Sequence, residues 1–464
     1  MTTRSAPLAM TPLERRAAVS LATIFSLRML GLFMILPVFA LHADDYRGAT
    51  PSLMGLAIGA YGMTQALLQI PFGLLSDRFG RKRVIAAGLL LFVAGSVLAA
   101  LADSIWMVIA GRALQGAGAI AAAVMALAAD LTREEHRTKA MAIIGMSIGL
   151  SFSLSLVLGP VLDAWLGIAG IFWLTALLAL GGLGVLAVLV PDPVTSRVHR
   201  DAEPVPAQFL RVLRDPQLLR LDLGILTLHM ILTASFVVLP LVLRDELGLA
   251  SDRHWWLYLP VLLASVLVMV PFIIHAERKR RVKPVFLGAI VALLVAELGL
   301  AEFHQSLVGV VLFLFVFYVG FNILEATLPS LISKTAPPDS KGTAMGFYSS
   351  AQFLGAFLGG LLGGLIHQHF STTAVFAACA LAGVLWLLVA VSMRSPRYLE
   401  TRLLAVPGVS RADVPALIRK LTAVQGVAEV VVVVEEGVAY LKVDRHALDE
   451  VALEAAAAAC AGAV

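Results

Sequence analysis

Charge and cysteine are what this chain has least of. Of its 464 residues, 14% are Asp, Glu, Lys or Arg, against about 25% in ordinary soluble domains. Its 2 cysteines are Cys379, inside an apolar run, and Cys460, near the last residue. That is too few for a disulfide scaffold or a cysteine-rich metal site. No Walker loop, nucleophile constellation or metal-spaced cluster occurs, so the sequence offers no catalytic centre, cofactor site or metal site. The net charge of +4 is read by position along the chain and is not a nucleic-acid signal.

What fills the chain is apolar: 59% of residues are hydrophobic and the mean hydropathy is +0.89. A helix needs ~20 mostly apolar residues to cross a bilayer, and such runs recur from residue 17 to residue 392. The sequence predicts a polytopic α-helical membrane protein with spans at 17–41, 52–75, 84–101, 105–129, 140–162, 169–190, 219–243, 255–275, 284–302, 306–330, 342–366 and 372–392. Arg15 and Arg16 before a long apolar run could pass for a signal peptide. The run is too long for that, and many spans follow, so it reads as the first span. An even number of spans puts both termini on one side. The loops on that side carry nearly all the Lys and Arg outside the spans, whereas the opposite loops hold only Arg47, Arg244 and Arg253. The positive-inside rule then places both termini in the cytoplasm.

Pro, Asp, Arg and Glu crowd residues 191–218, which read as a cytoplasmic linker with a short amphipathic helix near Phe209–Leu213. The linker separates a six-helix bundle at 1–190 from another at 219–397. The halves are related: "RTKAMAIIGMS" at span five resembles "KGTAMGFYSS" at span eleven, and "SDRFGRKR" after span two is echoed by "AERKRRVK" after span eight. Duplicated halves that handle substrate at their interface are a mark of secondary transporters. Residues 398–464 change character. They predict strand (Tyr398–Val406), helix (Val414–Val424), strand (Val427–Glu435), strand (Val438–Val443) and helix (Leu448–Cys460), with a hairpin turn at Glu436-Gly437. This is the βαββα order of a small α+β ferredoxin-like domain. Its "PGVSRADV" loop lacks the Cys-x-x-Cys of a heavy-metal domain, and its strands carry no aromatic pair for RNA stacking. Regulation or oligomerisation is the default role.

Three stretches carry a family resemblance. "GLLSDRFGRKR", Gly73 to Arg83, resembles motif A of the major facilitator superfamily, with Gly73, Asp77, Arg78, Gly80 and Arg81 in place. The resemblance implies a gating latch in which Asp77 docks at the start of span eleven and Arg81 pairs with Asp130 at the end of span four. A plain basic topology loop is the other reading. "GRALQGAGA" in span four resembles motif B, where Arg112, with Gln115 one turn on, is implicated in proton coupling; a structural ion pair is the alternative. "GMSIGLSFSLSLVLGP" resembles motif C of antiporters, with Gly145, Gly149, Gly159 and Pro160 allowing close packing and a kink. The pair after it is Asp163-Ala164 instead of Gly-Gly, so this match is partial. Ser147, Ser151 and Ser155 form a polar stripe on the same span.

Other polar residues lie at membrane depth. Arg28 sits near the middle of span one, ~16 Å from either interface by helix rise, beyond easy snorkelling. It is expected to project into an aqueous cavity or to partner a buried acid. Glu325 in span ten shares a face with Tyr318 and Asn322 and is the first candidate to take and release a proton. Glu297, five residues from Glu302 at the outer boundary, is the second and His229 the third; for Glu325 and His229 hydrogen-bonded packing is the alternative. Tyr61, Gln65 and Gln69 in span two, and Tyr348 and Gln352 in span eleven, face either substrate or neighbouring helices.

The chain as a whole resembles the YajR-like subgroup of the superfamily's twelve-span drug/proton antiporter branch, whose members carry a C-terminal YAM domain. The runs that carry this are "FSLRMLGLFMILPV", "QIPFGLLSDRFGRK", "GRALQGAGAIAAAVMAL", "DLTREEHRTKAMA" and "LPSLISKTAP". The resemblance implies a bacterial inner-membrane protein that alternates between inward- and outward-open states; the sequence leaves the oligomeric state open, with a monomer as the default. It would export a small molecule against proton entry. A proton-linked uptake symporter and a sensor signalling through the C-terminal domain are the rival readings.

Overall fold

The structure, a computed structural model, describes residues 9–192, 204–394, 399–406, 409–410, 412–434, 437–444, 447–453 and 455. Eleven helices are long and apolar enough to cross a membrane. One of them, within α6 (Glu134–Val188), is two spans joined through Gly167 at φ 66, a conformation that suits glycine. Twelve crossings result. Span one is α1 (Pro12–Phe33), span two α2 (Pro51–Phe79) and span three α3 (Arg81–Ala100). Beyond the linker helix α7 (Phe209–Leu213), spans seven to twelve are α8 (Pro216–Leu241), α9 (His254–Arg278), α10 (Val282–Phe303), α11 (Leu307–Thr335), α12 (Lys341–His369) and α13 (Thr372–Val391).

Helix starts follow local chemistry. Thr11 and Glu14 form a capping box on α1, and Asp215 accepts from the backbone of Gln217 and Leu218 at the start of α8. Gly80, at φ 93, ends α2 so that α3 begins at once, which fixes the turn of the motif A loop. Span four is not the continuous helix the sequence predicts. It breaks into α4 (Ile105–Ala117) and α5 (Ala121–Asp130) across Gly118–Ile120. The break lets the chain pass α3 closely: a Cβ on Gly118 would stand 2.2 Å from the Gly88 carbonyl oxygen.

The two halves repeat a capping device. Lys82 at the start of α3 donates to the Val190 carbonyl at the end of span six, 3.0 Å. Lys283 at the start of α10 donates to the Val391 carbonyl at the end of α13, also 3.0 Å. Cations there oppose the negative ends of the helices.

The halves meet along α2 and α12. Gly55, Gly59 and Gly62 face Gly360, Phe357 and Phe353 so closely that added Cβ atoms would stand 2.1, 2.7 and 2.5 Å from their carbonyl oxygens. A second stripe on α12, Gly355 and Gly359, packs in the same way on Leu226 and Met230 of α8. Small residues at this spacing are how helices approach closely inside lipid. On the face away from the termini, Arg244 reaches across to the Leu41 carbonyl at 3.1 Å. On the terminus-bearing face the linker lies between the halves. Pro204 packs against Gly73 and Gly346, Val205 N–H donates to Thr343 Oγ1 at 2.9 Å, and Arg211 pairs with Asp339 at 3.1 Å.

The C-terminal segment forms a three-stranded antiparallel sheet, β1 (Glu400–Ala405), β2 (Val427–Val433) and β3 (Val438–Val443), in the order β1-β3-β2, with α14 (Val414–Thr422) against it. Lys442 of β3 donates to the carbonyls of Ser333 and Lys334 at the end of α11, 3.1 and 2.9 Å. Glu436 of the expected turn, residues 454 and 456–460 of the expected helix Leu448–Cys460, and residues 193–203 of the linker lie outside the described residues.

Candidate functional site

Polar side chains at membrane depth gather in two groups, one in each half. In the N-terminal half, Arg28 and Arg112 flank Tyr61, their guanidinium carbons 5.6 and 5.4 Å from the ring centroid, and Phe92 covers Arg28 from another side at 5.3 Å. Such contacts favour cations over aromatic faces. Arg28 Nη2 donates to Gln65 Oε1 at 2.8 Å and to the Gly118 carbonyl at 2.9 Å. Tyr61 donates to Gln65, and Gln65 donates to Gln69. Arg112 Nη1 donates to Gln115 Oε1 at 2.9 Å, and Gln115 donates on to Ser96.

The expectation that Arg28 projects into water is therefore corrected. Arg28 is fully buried, 0% exposed, and it caps the carbonyl freed where span four breaks. The Gly118 carbonyl at the break accepts only the short-range bond from Ile120 N–H, 2.9 Å, in place of a helical one, and the fixed cation of Arg28 gives it a second donor. Arg28 Nε and Nη1 have no partner. Tyr61, Gln65, Gln69 and Gln115 are buried with it as links of one network.

In the C-terminal half, His229 of α8, Glu325 of α11 and Gln352 of α12 converge. Gln352 Nε2 lies 2.8 Å from His229 Nε2 and 3.3 Å from Glu325 Oε1, and His229 Nε2 is 3.8 Å from Glu325 Oε2. The hydrogen bonds assign the ring proton to Nδ1, which donates to the Ile225 carbonyl, so that Nε2 accepts from Gln352. The Glu325 side chain keeps 37% of its surface accessible although it lies within a membrane-spanning helix. Its Oε2 has no hydrogen-bond partner. Tyr348 is buried within electrostatic reach of both Glu325 and Asp222.

Tyr318 and Asn322 do not join Glu325. Three residues along a helix turn it by ~60°, which sends Asn322 to Ser265 of α9 at 3.0 Å. Tyr318 is buried against Phe317. Glu297 is fully enclosed between α8, α10 and α13, where it accepts from Ser235 at 2.9 Å.

The motif residues are distributed as follows. Arg81 contacts Asp77 and Asp130, the latter at 3.3 Å, and also donates to Ser76. The start of α12, the expected dock for Asp77, is held instead by Gln208, Arg211 and Val205 of the linker. The Arg78 guanidinium lies 5.5 Å from the ring of its neighbour Phe79. In motif C, Gly159 packs on the Met34 carbonyl, and Pro160 follows it within the helix. Gly145 and Gly149 have nothing within 4 Å of an added Cβ, so the expected close packing is absent there. Ser147, Ser151 and Ser155 bond to backbone oxygens of their own helix and of α1, which makes the stripe helix-to-helix glue.

Sequence reasoning missed Asp222, the break at Gly118 and the aromatic bridge between the halves. In that bridge, Phe33 packs edge-on to Phe152, which stacks on Phe321 at 5.8 Å, and Phe321 abuts His229 at 6.0 Å. No periodicity marks these phenylalanines among other apolar residues. It also missed His42, which contacts Asp45 and donates to Asp163 at 2.9 Å. Burial opposes the His42 charge, but the hydrogen bond to Asp163, with its charge and that of Asp45, outweighs it and raises the pKa. Asp163 is the residue that departs from motif C, and that departure was the available signal.

A sequence model of the family described as Major Facilitator Superfamily matches residues 21–359 and 262–424. The chain is 48% identical to the inner membrane transport protein YajR of Escherichia coli (strain K12) over 451 residues, 96% of this chain and 98% of that one. It is 28% identical to the multidrug resistance protein MdtH of Aeromonas hydrophila over 345 residues, 74% of this chain and 85% of that one. The crystal structure of the human organic anion transporter MFSD10 (TETRAN) matches with a TM-score of 0.61 at 20% identity, covering 82% of this chain and 100% of that one. That last likeness concerns the fold.

Proposed function

This chain belongs to the Major Facilitator Superfamily of transporters, and we propose that it exports a small molecule by alternating access in exchange for protons. The observation that carries the reading is the shared amide of Gln352, which bridges His229 Nε2 and Glu325 Oε1 beside a buried carboxylate oxygen, Glu325 Oε2, that has no hydrogen-bond partner among the described residues.

The chemistry works as a switch. While His229 is neutral at Nε2, Gln352 presents its N–H to both groups. A proton on Nε2 turns that nitrogen into a donor. Gln352 must then turn its Oε1 to the ring and withdraw its N–H from Glu325. Protonation thus changes what the carboxylate can bind, and a cation or a proton at Glu325 Oε2 competes for the same oxygen. Such mutual exclusion is what exchange of substrate for proton requires. The arginine network of the other half stays charged throughout, because guanidinium does not deprotonate in the working range. It therefore serves as a fixed framework for span four. The similarity to a multidrug resistance protein and the partial motif C support export. The lysine and arginine bias supports assigning the terminus-bearing face to the cytoplasm.

The test begins with a ligand screen by thermal stabilisation of the purified protein, since a ligand that prefers the native state raises its apparent stability. Hits are then followed in proteoliposomes under an imposed pH gradient. Glu325→Gln should lower gradient-driven flux on the order of a hundredfold, the low end of what a positioned proton-transfer group supplies. Substrate exchange without a gradient should persist. Gradient-driven accumulation by Glu325→Gln at the wild-type rate would remove Glu325 from the mechanism. Flux that runs with the protons instead of against them would make the protein an uptake symporter.

A further inference from the structure

A cavity of about 830 Å³ opens on the terminus-bearing face, away from the paths described above, between the linker helix, the start of α8 and the end of α13. That volume falls within the roughly 300–1,000 Å³ of small-molecule sites. Its walls include Arg211, Arg214, Arg220 and Arg394, with Gln217 and Ser392 between them. The acid in the wall, Asp215, is engaged by the backbone N–H groups of Gln217 and Leu218. Arg211 is paired with Asp339. The guanidinium groups of Arg214, Arg220 and Arg394 have no hydrogen bond or ion pair among the described residues. Three cations therefore converge on one cavity with no ion pair of their own among the described residues.

Apolar side chains flank the cavity. Leu210 and Leu213 of α7 are 58% and 44% exposed, Leu219 and Leu223 of α8 are 42% and 41% exposed, and Leu388 and Val391 of α13 are 66% and 57% exposed. The two long helices are packed together here, with Trp386 of α13 against Gly224 of α8. The cationic cavity thus lies at the ends of membrane-spanning helices whose next turns, on α8 and α13, carry exposed apolar side chains. A soluble phosphate matches the first feature alone; an anionic phospholipid matches both.

We propose that this cavity binds the headgroup of an anionic phospholipid, phosphate against Arg214, Arg220 and Arg394, with the acyl chains along α8 and α13. Basic recesses between spans on the cytoplasmic side suit such headgroups. The bound lipid would brace the linker against α8 and α13.

The full chain, purified in detergent, is titrated with phosphatidylglycerol, phosphatidylcholine or inorganic phosphate and read by native mass spectrometry. Three arginines at about fivefold each should make phosphatidylglycerol bind about a hundredfold more tightly than phosphatidylcholine, and millimolar phosphate should not displace it. Each surface arginine contributes about fivefold, so Arg214→Gln with Arg220→Gln should weaken phosphatidylglycerol about thirtyfold and leave phosphatidylcholine unchanged. Arg394→Gln, at an exposed position outside any helix, tests the same site if the double variant does not fold. Arg253→Gln, on the opposite face, should bind as the wild type does. Equal binding of the two lipids, or wild-type binding by the arginine variants, would overturn the proposal. Phosphate binding as tight as phosphatidylglycerol would reassign the cavity to a soluble anion.

Discussion

The glycine seam between α2 and α12 offers a way to shift the state of the protein without touching a polar group. In Gly55→Ala the new methyl would lie 2.1 Å from the Gly360 carbonyl oxygen and 2.9 Å from Gly364 Cα. Ordinary contact begins at 3.4 Å, so the helices must separate by about 1.3 Å at that level (3.4 − 2.1). Both neighbours are backbone atoms and cannot swing aside. The adjacent packing is as close, since an added Cβ on Gly59 or Gly364 would stand 2.7 or 2.5 Å from the Phe357 or Pro51 carbonyl oxygen, so there is no slack to share. Overpacking of this kind costs about 1–3 kcal/mol, and it burdens only the arrangement in which these helix ends touch. The population of that arrangement should fall by about 5–150-fold. Spin labels at Asp103→Cys and Gln305→Cys, in loops of opposite halves away from the termini, would report it in a background with Cys379 and Cys460 replaced by serine. The Gly55→Ala distance distribution should lengthen. Gly145→Ala, which meets nothing within 4 Å, should match its parent. A folded Gly55→Ala protein with an unchanged distribution would show that the seam does not hold this side shut.

Arg28→Ala removes the donor to the Gly118 carbonyl and leaves a void, so it should destabilise the purified protein by about 2–5 kcal/mol, whereas Arg28→Met fills the space and should cost less. If both variants denature like wild type and only ligand binding weakens, Arg28 is a binding residue and the capping argument fails. The raised pKa of His42 means that its contribution is complete below about pH 6.5, the ordinary histidine value, and is lost as pH rises through the folded-state value. Thermal midpoints measured from acid to alkaline pH should therefore fall more steeply for wild type than for His42→Gln; identical slopes would exclude the Asp163 contact as the cause.

Much of the architecture is legible because lipid imposes length. Every span except four can be read from the run of apolar residues, and the duplication from Lys82 and Lys283, which sit at corresponding loops and cap corresponding helix ends. Depth is legible too, since rise per residue is fixed: Arg28 and Glu325 were both placed at mid-membrane. Direction around the helix is not, because it depends on which neighbours pack where. That is why Arg28 turned out to face the broken span, and why Asn322 and Glu325, on one face in projection, part towards α9 and α12. The break itself is hidden because "GAGAIAAA" is apolar and small throughout. Only the close approach of Gly88 makes an interruption favourable there. The His229, Gln352 and Glu325 candidates were each visible singly, but their convergence from three helices is a tertiary fact.

The two polar groups divide the electrostatic work in a way that bears on coupling. Every side-chain hydrogen bond of Arg28 and Arg112 goes to an amide or backbone carbonyl oxygen, none to a carboxylate. In the other half the accessible acid faces a histidine and an amide, with no arginine or lysine in the cluster. A buried guanidinium paired with Glu325 would hold that carboxylate ionised and close it to exchange. Keeping the permanent cations in one bundle and the titratable groups in the other leaves Glu325 free to change partner. In the proposed exchange, relative movement of the two bundles about the glycine seam would decide which side of the membrane supplies that partner.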